Sequence, residues 1–385
     1  MMENSTRFRN DTEKDHEDLM LAVKSGDFDV IKSWLSRDGC VQCFSEAKYG
    51  STLLEMAVEG GQLKVVKFLI DHGAKTNIKG FEYIASTYGL LWAVNFNHLE
   101  IVELLVKCGA DINVKTSIKR RHFTPLLFAV NKCSVEIVKF LLQNGANINT
   151  RDASGRTPLF HATSRNNLEI VQHLIKEGAD LNICCSETKL SPLMISLRNS
   201  YDEISNVLLQ NGANIGLYGM YGATPLHFAV RSGSINIVCK LLLLGAKIIP
   251  TISTEQSPLH WAASDGSSEM CQILLKHGAD VNAVDIRNAT PLFHLIASQK
   301  NVEYQEAIIK NLISNGAKVN IKETDDEFTP LHVAIQYMKL GFFDILLKNG
   351  ASIFHKDVSG KSPLEIALDK KFTDAFKVLL NFENF

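Results

Sequence analysis

Residues Gly222–Ala246, GATPLHFAVRSGSINIVCKLLLLGA, decide the reading of this chain. Thr224 stands where it can cap a helix, and Pro225 falls in that helix's first turn, where a missing N–H costs nothing. Ala229 is small and suits a face that must approach another helix closely. Gly233 interrupts the pattern. Ile235, Ile237, Val238, Leu241 and Leu242 then recur at helical spacing. Gly245 follows the last of them, where a left-handed C-terminal cap belongs. The stretch therefore predicts a short helix, a tight reversal, a second helix and a stop. One such unit cannot bury its own apolar faces, so it needs neighbours of the same kind.

The rest of the chain supplies them. A Gly-Ala pair closes a second helix at Gly73, Gly109, Gly145, Gly178, Gly212, Gly245, Gly278, Gly316 and Gly350, at spacings of 36, 36, 33, 34, 33, 33, 38 and 34 residues. A second marker runs in phase with it. Thr-Pro-Leu-His stands at Thr224–His227 and Thr329–His332, and Ser-Pro-Leu-His at Ser257–His260. Thr-Pro-Leu begins at Thr124, Thr157 and Thr290, and Ser-Pro-Leu at Ser191 and Ser362.

This period and the T-P-L-H-x-A signature resemble the ankyrin repeat family. The resemblance covers nearly the whole chain, from about Asp18 to Phe382, in about eleven units. It implies an all-α fold, an ankyrin-repeat α-solenoid of helix–loop–helix units with β-hairpin-like fingers between them. It also implies a binding surface rather than an active site. The expected organisation is a polar lead-in over 1–17 and a single repeat domain over 18–385. Its units run about 18–47, 48–87, 88–121, 122–154, 155–187, 188–220, 221–254, 255–287, 288–326, 327–359 and 360–385.

The units differ in ways that matter. The first keeps Ala22, Gly26, Val30, Ile31 and Leu35 but lacks Thr-Pro-Leu, as an N-terminal cap would. Unit six carries Ser196 in place of the usual alanine. Unit nine has about four extra residues around Ser298–Tyr304, which should lengthen a loop or a helix. The finger before unit three is extended and carries Phe81, Tyr83 and Tyr88. The chain ends FKVLLNFENF, where Phe376, Leu379, Leu380, Phe382 and Phe385 either tuck back or dock on a partner or further sequence.

Composition excludes several classes. Net charge is −2, which points to no nucleic acid or anionic membrane as a dedicated partner. No apolar run approaches the roughly 18 residues of a membrane-spanning helix, and the start is polar, so no membrane insertion and a cytoplasmic or nuclear location are the expectations. Chemistry-bearing motifs fail on inspection. His227, His260 and His332 recur at one repeat position, where the resemblance implies hydrogen bonds to the neighbouring repeat. Leu127, Phe160 and Phe293 at the same position would not serve a metal. Cys40-x-x-Cys43 has zinc-ligand spacing but no second pair nearby. Gly360-Lys361-Ser362 lacks the earlier glycine of a phosphate loop, because position 355 is His. No catalytic residue, cofactor or metal is assigned, and the chain is read as a non-enzyme.

Exposed aromatics and charged fingers are the candidates for partner binding, since hot spots are enriched in Tyr, Trp and Arg. They are Tyr218, Met220 and Tyr221 in one finger, the basic finger Lys119, Arg120 and Arg121, and the acidic finger with Asp325 and Asp326. Trp92 and Trp261 each precede the small residue of a first helix, where they either line the concave groove or pad the helix stack. The resemblance further implies Asn113, Asn149, Asn182 and Asn282 as substrates of an asparaginyl hydroxylase. The function read from all this is a non-catalytic scaffold or adaptor whose partner is another protein. The alternative is the ankyrin module of a larger assembly, such as a ubiquitin-ligase substrate receptor, a channel or a signalling-enzyme subunit.

Overall fold

A computed structural model describes residues 13–36, 41, 52–76, 89–116, 122–298 and 302–383. The Cys40–Cys43 spacing, the Phe81–Tyr88 finger, the basic finger Lys119–Arg121 and Phe385 lie outside them. The chain forms two compact units, Met1–Glu187 and Thr188–Phe385, dividing where the fifth and sixth expected repeats meet.

The first unit is built of five helix pairs: α1 and α2 (Glu13–Ser25, Phe28–Leu35), α3 and α4 (Leu53–Glu59, Leu63–Asp71), α5 and α6 (Gly89–Asn95, Leu99–Lys107), α7 and α8 (Pro125–Asn131, Val135–Gln143), and α9 and α10 (Pro158–Ser164, Leu168–Lys176). The second has six: α11 and α12 (Pro192–Arg198, Asp202–Gln210), α13 and α14 (Pro225–Ser232, Ile235–Leu243), α15 and α16 (Pro258–Asp265, Ser268–Lys276), α17 and α18 (Pro291–Ala297, Val302–Ser314), α19 and α20 (Pro330–Gln336, Phe343–Lys348), and α21 and α22 (Pro363–Asp369, Thr373–Glu383). Within each unit, first helices pack on first helices and second helices on second helices, in sequence order. Each unit is an all-α repeat stack. The lead-in is shorter than expected, because α1 begins at Glu13.

The packing follows from the sequence. Ala57, Ala93, Ala129, Ala162, Ala229, Ala262, Ala334 and Ala367 are buried at one position of their first helices, which Leu295 fills in α17. Ser196 occupies that position in α11 and is equally buried. Its hydroxyl donates to the Leu193 carbonyl (2.8 Å) and accepts from Ser205 Oγ (2.8 Å). One period on, the same two positions hold Ala229 and Val238. The pair of serines thus replaces an apolar pair and satisfies itself. The second helices close as the Gly-Ala marker implies: Gly245 N–H meets the Leu242 carbonyl (3.0 Å) and Ala246 N–H the Leu241 carbonyl (2.9 Å).

The insertion in the ninth repeat goes into its second helix, since α18 has 13 residues where α16 has 9. Lys339, from the loop after α19, is buried against it and donates to the Ser298 carbonyl and to Gln305 Oε1. Burial pushes the Lys339 ammonium below its usual range. At the last pair, Leu379 and Ala375 are buried, Phe376 is half-buried and Leu380 stays 41% exposed.

The fingers are hairpin-like reversals, with no strand among the described residues. Asp152 N–H meets the Arg156 carbonyl (3.0 Å), Asp285 N–H the Ala289 carbonyl (3.0 Å) and Asp357 N–H the Lys361 carbonyl (2.9 Å). In these three a carboxylate also stands at the finger's base. Asp152 Oδ1 accepts from the N–H groups of Ser154 (2.9 Å) and Arg156 (2.8 Å). Asp285 does the same for Arg287 and Ala289 (2.9 and 3.0 Å), and Asp357 for Ser359 and Lys361 (both 2.8 Å). The side chain thus satisfies two amides inside the turn. Adjacent fingers are joined by single backbone bonds: Ser186 N–H to Ser154 O in the first unit, and Ser253 to Tyr221, Ile286 to Thr254, Thr324 to Arg287 and Val358 to Asp326 in the second.

Candidate partner-binding groove in the second unit

The first helices are fixed by their caps. In α13 the Nδ1 of His227 accepts from Thr224 N–H (3.1 Å) and lies 3.0 Å from Thr224 Oγ1, closing a capping box. Its Nε2–H donates to the Gln256 carbonyl of the next repeat (3.2 Å). His260 repeats this with Ser257 and the Ala289 carbonyl (3.0 Å). His332 repeats the cap with Thr329, while its Nε2 is buried without a well-formed partner. Burial pushes the imidazoles of His227 and His260 down to about 4, and lowers that of His332. These histidines are neutral and structural. Leu127, Phe160, Met194 and Phe293 stand in place of the histidine in other repeats, where the cap is one-sided.

The asparagines are equally committed. Asn282 Nδ2 donates to the Gly316 carbonyl (2.9 Å) and its Oδ1 accepts from Lys318 N–H (2.8 Å), stapling one repeat to the next. Asn113 does so with Gly145 (3.2 Å) and Asn147 (2.7 Å). Asn149 accepts from Asp180 N–H (3.0 Å), and Asn182 N–H donates to Asp180 (2.8 Å). Asn320, which the sequence reading passed over, makes the same staple with Gly350 and Ser352 (both 2.8 Å).

Two His–Asp pairs also escaped the sequence reading. His161 Nε2 meets Asp152 Oδ2 at 2.9 Å, and His294 Nε2 meets Asp285 Oδ2 at 2.9 Å. Burial opposes ionisation of Asp285, but the His294 hydrogen bond and two backbone N–H groups outweigh it and hold the carboxyl down at about 2. Each histidine follows the phenylalanine that replaced the capping histidine, within the shared pattern Asp-x-x-x-x-Thr-Pro-Leu-Phe-His. That shared pattern was the available signal. Both pairs brace a finger against its own helix. Among the described residues no cluster of His, Cys, Asp or Glu could hold a metal, and no helix is long and apolar enough to cross a membrane.

Candidate partner-binding side chains gather at the finger Tyr218–Ala223. The base position that holds Asp152, Asp285 and Asp357 in sister fingers is here Gly219. The turn here is also of a different type. Gly219 N–H reaches the Ala223 carbonyl (2.8 Å), and Ala223 N–H the Met220 carbonyl (3.1 Å). Tyr221 (φ 57°, ψ 16°) and Gly222 (φ 75°) are then both left-handed, the arrangement of a type I′ turn. Every other finger residue of positive φ, namely His122, Gly155, Lys189, Gly222, Glu255, Asn288, Glu327 and Gly360, lies two residues before a helix cap. Tyr221 does not. A side chain in this region costs about 1–2 kcal/mol. Its ring is 70% exposed, so packing does not repay the strain.

Behind this turn lies a cavity of about 540 Å³, lined by Met220, Tyr221, Phe228, Trp261, Gln256, Thr251, Thr254, Ala223, Ser232, Arg198 and Arg231. Trp261 is held on three sides. Its Nε1–H donates to Gln256 Oε1 (3.0 Å), its ring meets His227 edge-on at 5.1 Å, and Arg231 Cζ lies 5.5 Å from its centroid. Of the sequence candidates, Met220, Tyr221 and Trp261 meet here. Tyr218 is 49% exposed in the same finger. Trp92 belongs to the first unit, where it stacks on Phe96 at 5.4 Å. In the acidic finger, Asp325 pairs with Arg287 (3.3 Å), and Asp325 and Asp326 donate their N–H groups to the buried Glu323. Arg198, Arg231, Phe228 and Gln256 were not singled out from sequence. Arg198 and Arg231 are 33 residues apart, as are Phe228 and Trp261, so each pair occupies one position of consecutive repeats.

Comparisons with known proteins agree with this architecture. The family model described as ankyrin repeats (3 copies) matches residues 4–80, 90–185, 162–252, 247–322 and 296–384. An ankyrin repeat protein of Fowlpox virus (strain NVSL) is 30% identical over 91 residues, a match covering 24% of this chain and 15% of the viral protein.

Proposed function

The chain belongs to the ankyrin repeat family, and on that footing we propose that it is a protein-binding scaffold or adaptor that holds its partner in the groove between Tyr221 and Trp261. Ankyrin repeats are generally protein–protein interaction modules, and proteins built from them are typically non-enzymatic. The observation that carries the reading is Tyr221: an exposed aromatic ring held on strained backbone beside a rigid tryptophan and two arginines. Aromatic and arginine side chains around a concave, partly apolar surface are the usual makings of a binding hot spot. A cytoplasmic or nuclear site of action belongs to the same proposal.

The test is affinity capture with quantitative mass spectrometry on two baits, the native chain and a Tyr221→Ala, Trp261→Ala double variant checked for native helicity. A partner retained by the first and lost by the second supports the groove. Equal capture by both baits would sink it.

A further inference from the structure

Charge in the groove goes further than the proposal above and rests on it. Several exposed cations at the fingers find carboxylates: Arg156 with Glu187 (3.5 Å), Arg287 with Asp325 (3.3 Å), Lys322 with Glu327 (2.8 Å) and Lys361 with Asp369 (2.5 Å). Arg165, one period before Arg198, bonds the neutral Asn131 (2.9 Å). Arg198 and Arg231 find no carboxylate among the described residues. Both are exposed, both line the same cavity, and neither makes an ion pair among the described residues. No acidic side chain lines that cavity at all. Two like charges one repeat apart, with no internal counter-charge, lower the cost of desolvating an anion brought between them.

We infer that the groove recognises an acidic peptide segment, in which two carboxylates reach Arg198 and Arg231 and an intervening aromatic or aliphatic side chain lies against Trp261 and Tyr221. The geometry favours this class over others. Arg231 Cζ lies over the Trp261 ring, 5.5 Å from its centroid, and a planar guanidinium suits a two-pronged carboxylate contact. The apolar floor formed by Phe228, Trp261 and Met220 asks for a hydrophobic side chain beside the charge. The positive charge is local: Glu255 adjoins the lining residues Thr254 and Gln256, Asp265 ends the helix that carries Trp261, and the chain's net charge is −2. A nucleic-acid backbone needs a run of cations, not two bounded by acids. The cavity's 540 Å³ falls within the range of small binding sites and suits a few side chains of an extended segment.

The experiment is selection of random twelve-residue peptides displayed on phage against the full chain. Recovered peptides are then synthesised, fluorescently labelled and titrated by polarisation. The titrations use the native chain, an Arg198→Gln, Arg231→Gln double variant and a Tyr221→Ala, Trp261→Ala double variant. Both arginines are exposed, and unchanged melting confirms that the first variant folds. The expected result is peptides carrying at least two acidic residues around an apolar one. Their affinity should fall about tenfold or more in the arginine variant and should weaken as salt rises. An Arg198→Lys, Arg231→Lys variant should keep the salt dependence and recover part of the affinity. Peptides that lack acidic residues yet are lost on the Tyr221→Ala, Trp261→Ala variant would overturn the acidic specificity and leave the groove standing. Peptides indifferent to both variants, or no peptide recovered, would overturn the groove as well.

Discussion

At the scale of single residues, the capping histidines work only when neutral, because Nδ1 must accept while Nε2–H donates. Their folded values near 4 lie below the ordinary 6.5. The unfolded chain therefore binds protons first as pH falls. Their contribution is complete above about pH 6.5 and is withdrawn between 6.5 and 4, by roughly 3 kcal/mol for each of His227 and His260. Urea unfolding at stepped pH should show stability declining through that window. A His227→Leu, His260→Leu variant should start lower at pH 7.5 and decline less. A parallel decline in both proteins would contradict the assignment. Turn residues make a sharper pair of tests. Gly222→Ala places a Cβ 2.6 Å from the Ile252 backbone nitrogen at a φ of 75°, and should cost about 1–3 kcal/mol. Tyr221→Gly relieves a strained backbone and removes an exposed ring. It should raise stability by up to ~1 kcal/mol while reducing partner capture, measured by thermal melting beside the capture assay. A Tyr221→Gly protein that is destabilised by more than 1 kcal/mol would mean the ring packs for structure.

At the scale of the element, the helix pair α11 and α12 replaces an Ala–Val contact with two serines that bond one another. Restoring the apolar pair with Ser196→Ala and Ser205→Val removes both polar groups together, so no orphan is left. The double variant should be neutral or more stable by up to ~1 kcal/mol, whereas Ser205→Val alone crowds the remaining hydroxyl and costs more than the double. A double-mutant cycle from urea melts reads this directly. Such compensation explains what sequence could and could not reveal. Ser196 stood out because it broke a repeated alanine, but Ser205 replaced a mid-helix valine with no marker beside it. Helix boundaries were legible because Thr-Pro and Gly-Ala act locally, through caps and a left-handed stop. Finger geometry was not, because the residue at the finger's base varies from repeat to repeat, Asp152 and Asp285 in two and Gly219 in a third.

At the scale of the molecule, the repeats divide into two units, each stacked by nearest neighbours alone. Stability in such arrays is close to a sum over repeats and junctions. Leu241 is fully buried in α14, so Leu241→Ala should cost about 2–5 kcal/mol. Hydrogen exchange should show the loss of protection within Thr188–Phe385, with the amides of α5 to α10 changing little. Uniform loss across the whole chain would mean that the two units unfold as one. The stacking order was readable because two markers kept phase, Gly-Ala from Gly73 to Gly350 and Thr/Ser-Pro-Leu from Thr124 to Ser362. The groove was only partly readable. Tyr221, Met220 and Trp261 are conspicuous types, whereas Arg198 and Arg231 become a pair only when consecutive repeats are laid over each other.

Many bonds between neighbouring repeats link positions about one period apart: His260 to Ala289, Asn282 to Gly316, Ile286 to Thr254. Where two repeats carry the same groups at those positions, cutting out or splicing in a whole period rejoins matching partners; the buried Lys339, which reaches back to Ser298, is an exception. At matching junctions the chain can change length in steps of one repeat. Arg198 with Arg231, and Phe228 with Trp261, are such a step on one cavity wall: a lining made longer by repetition.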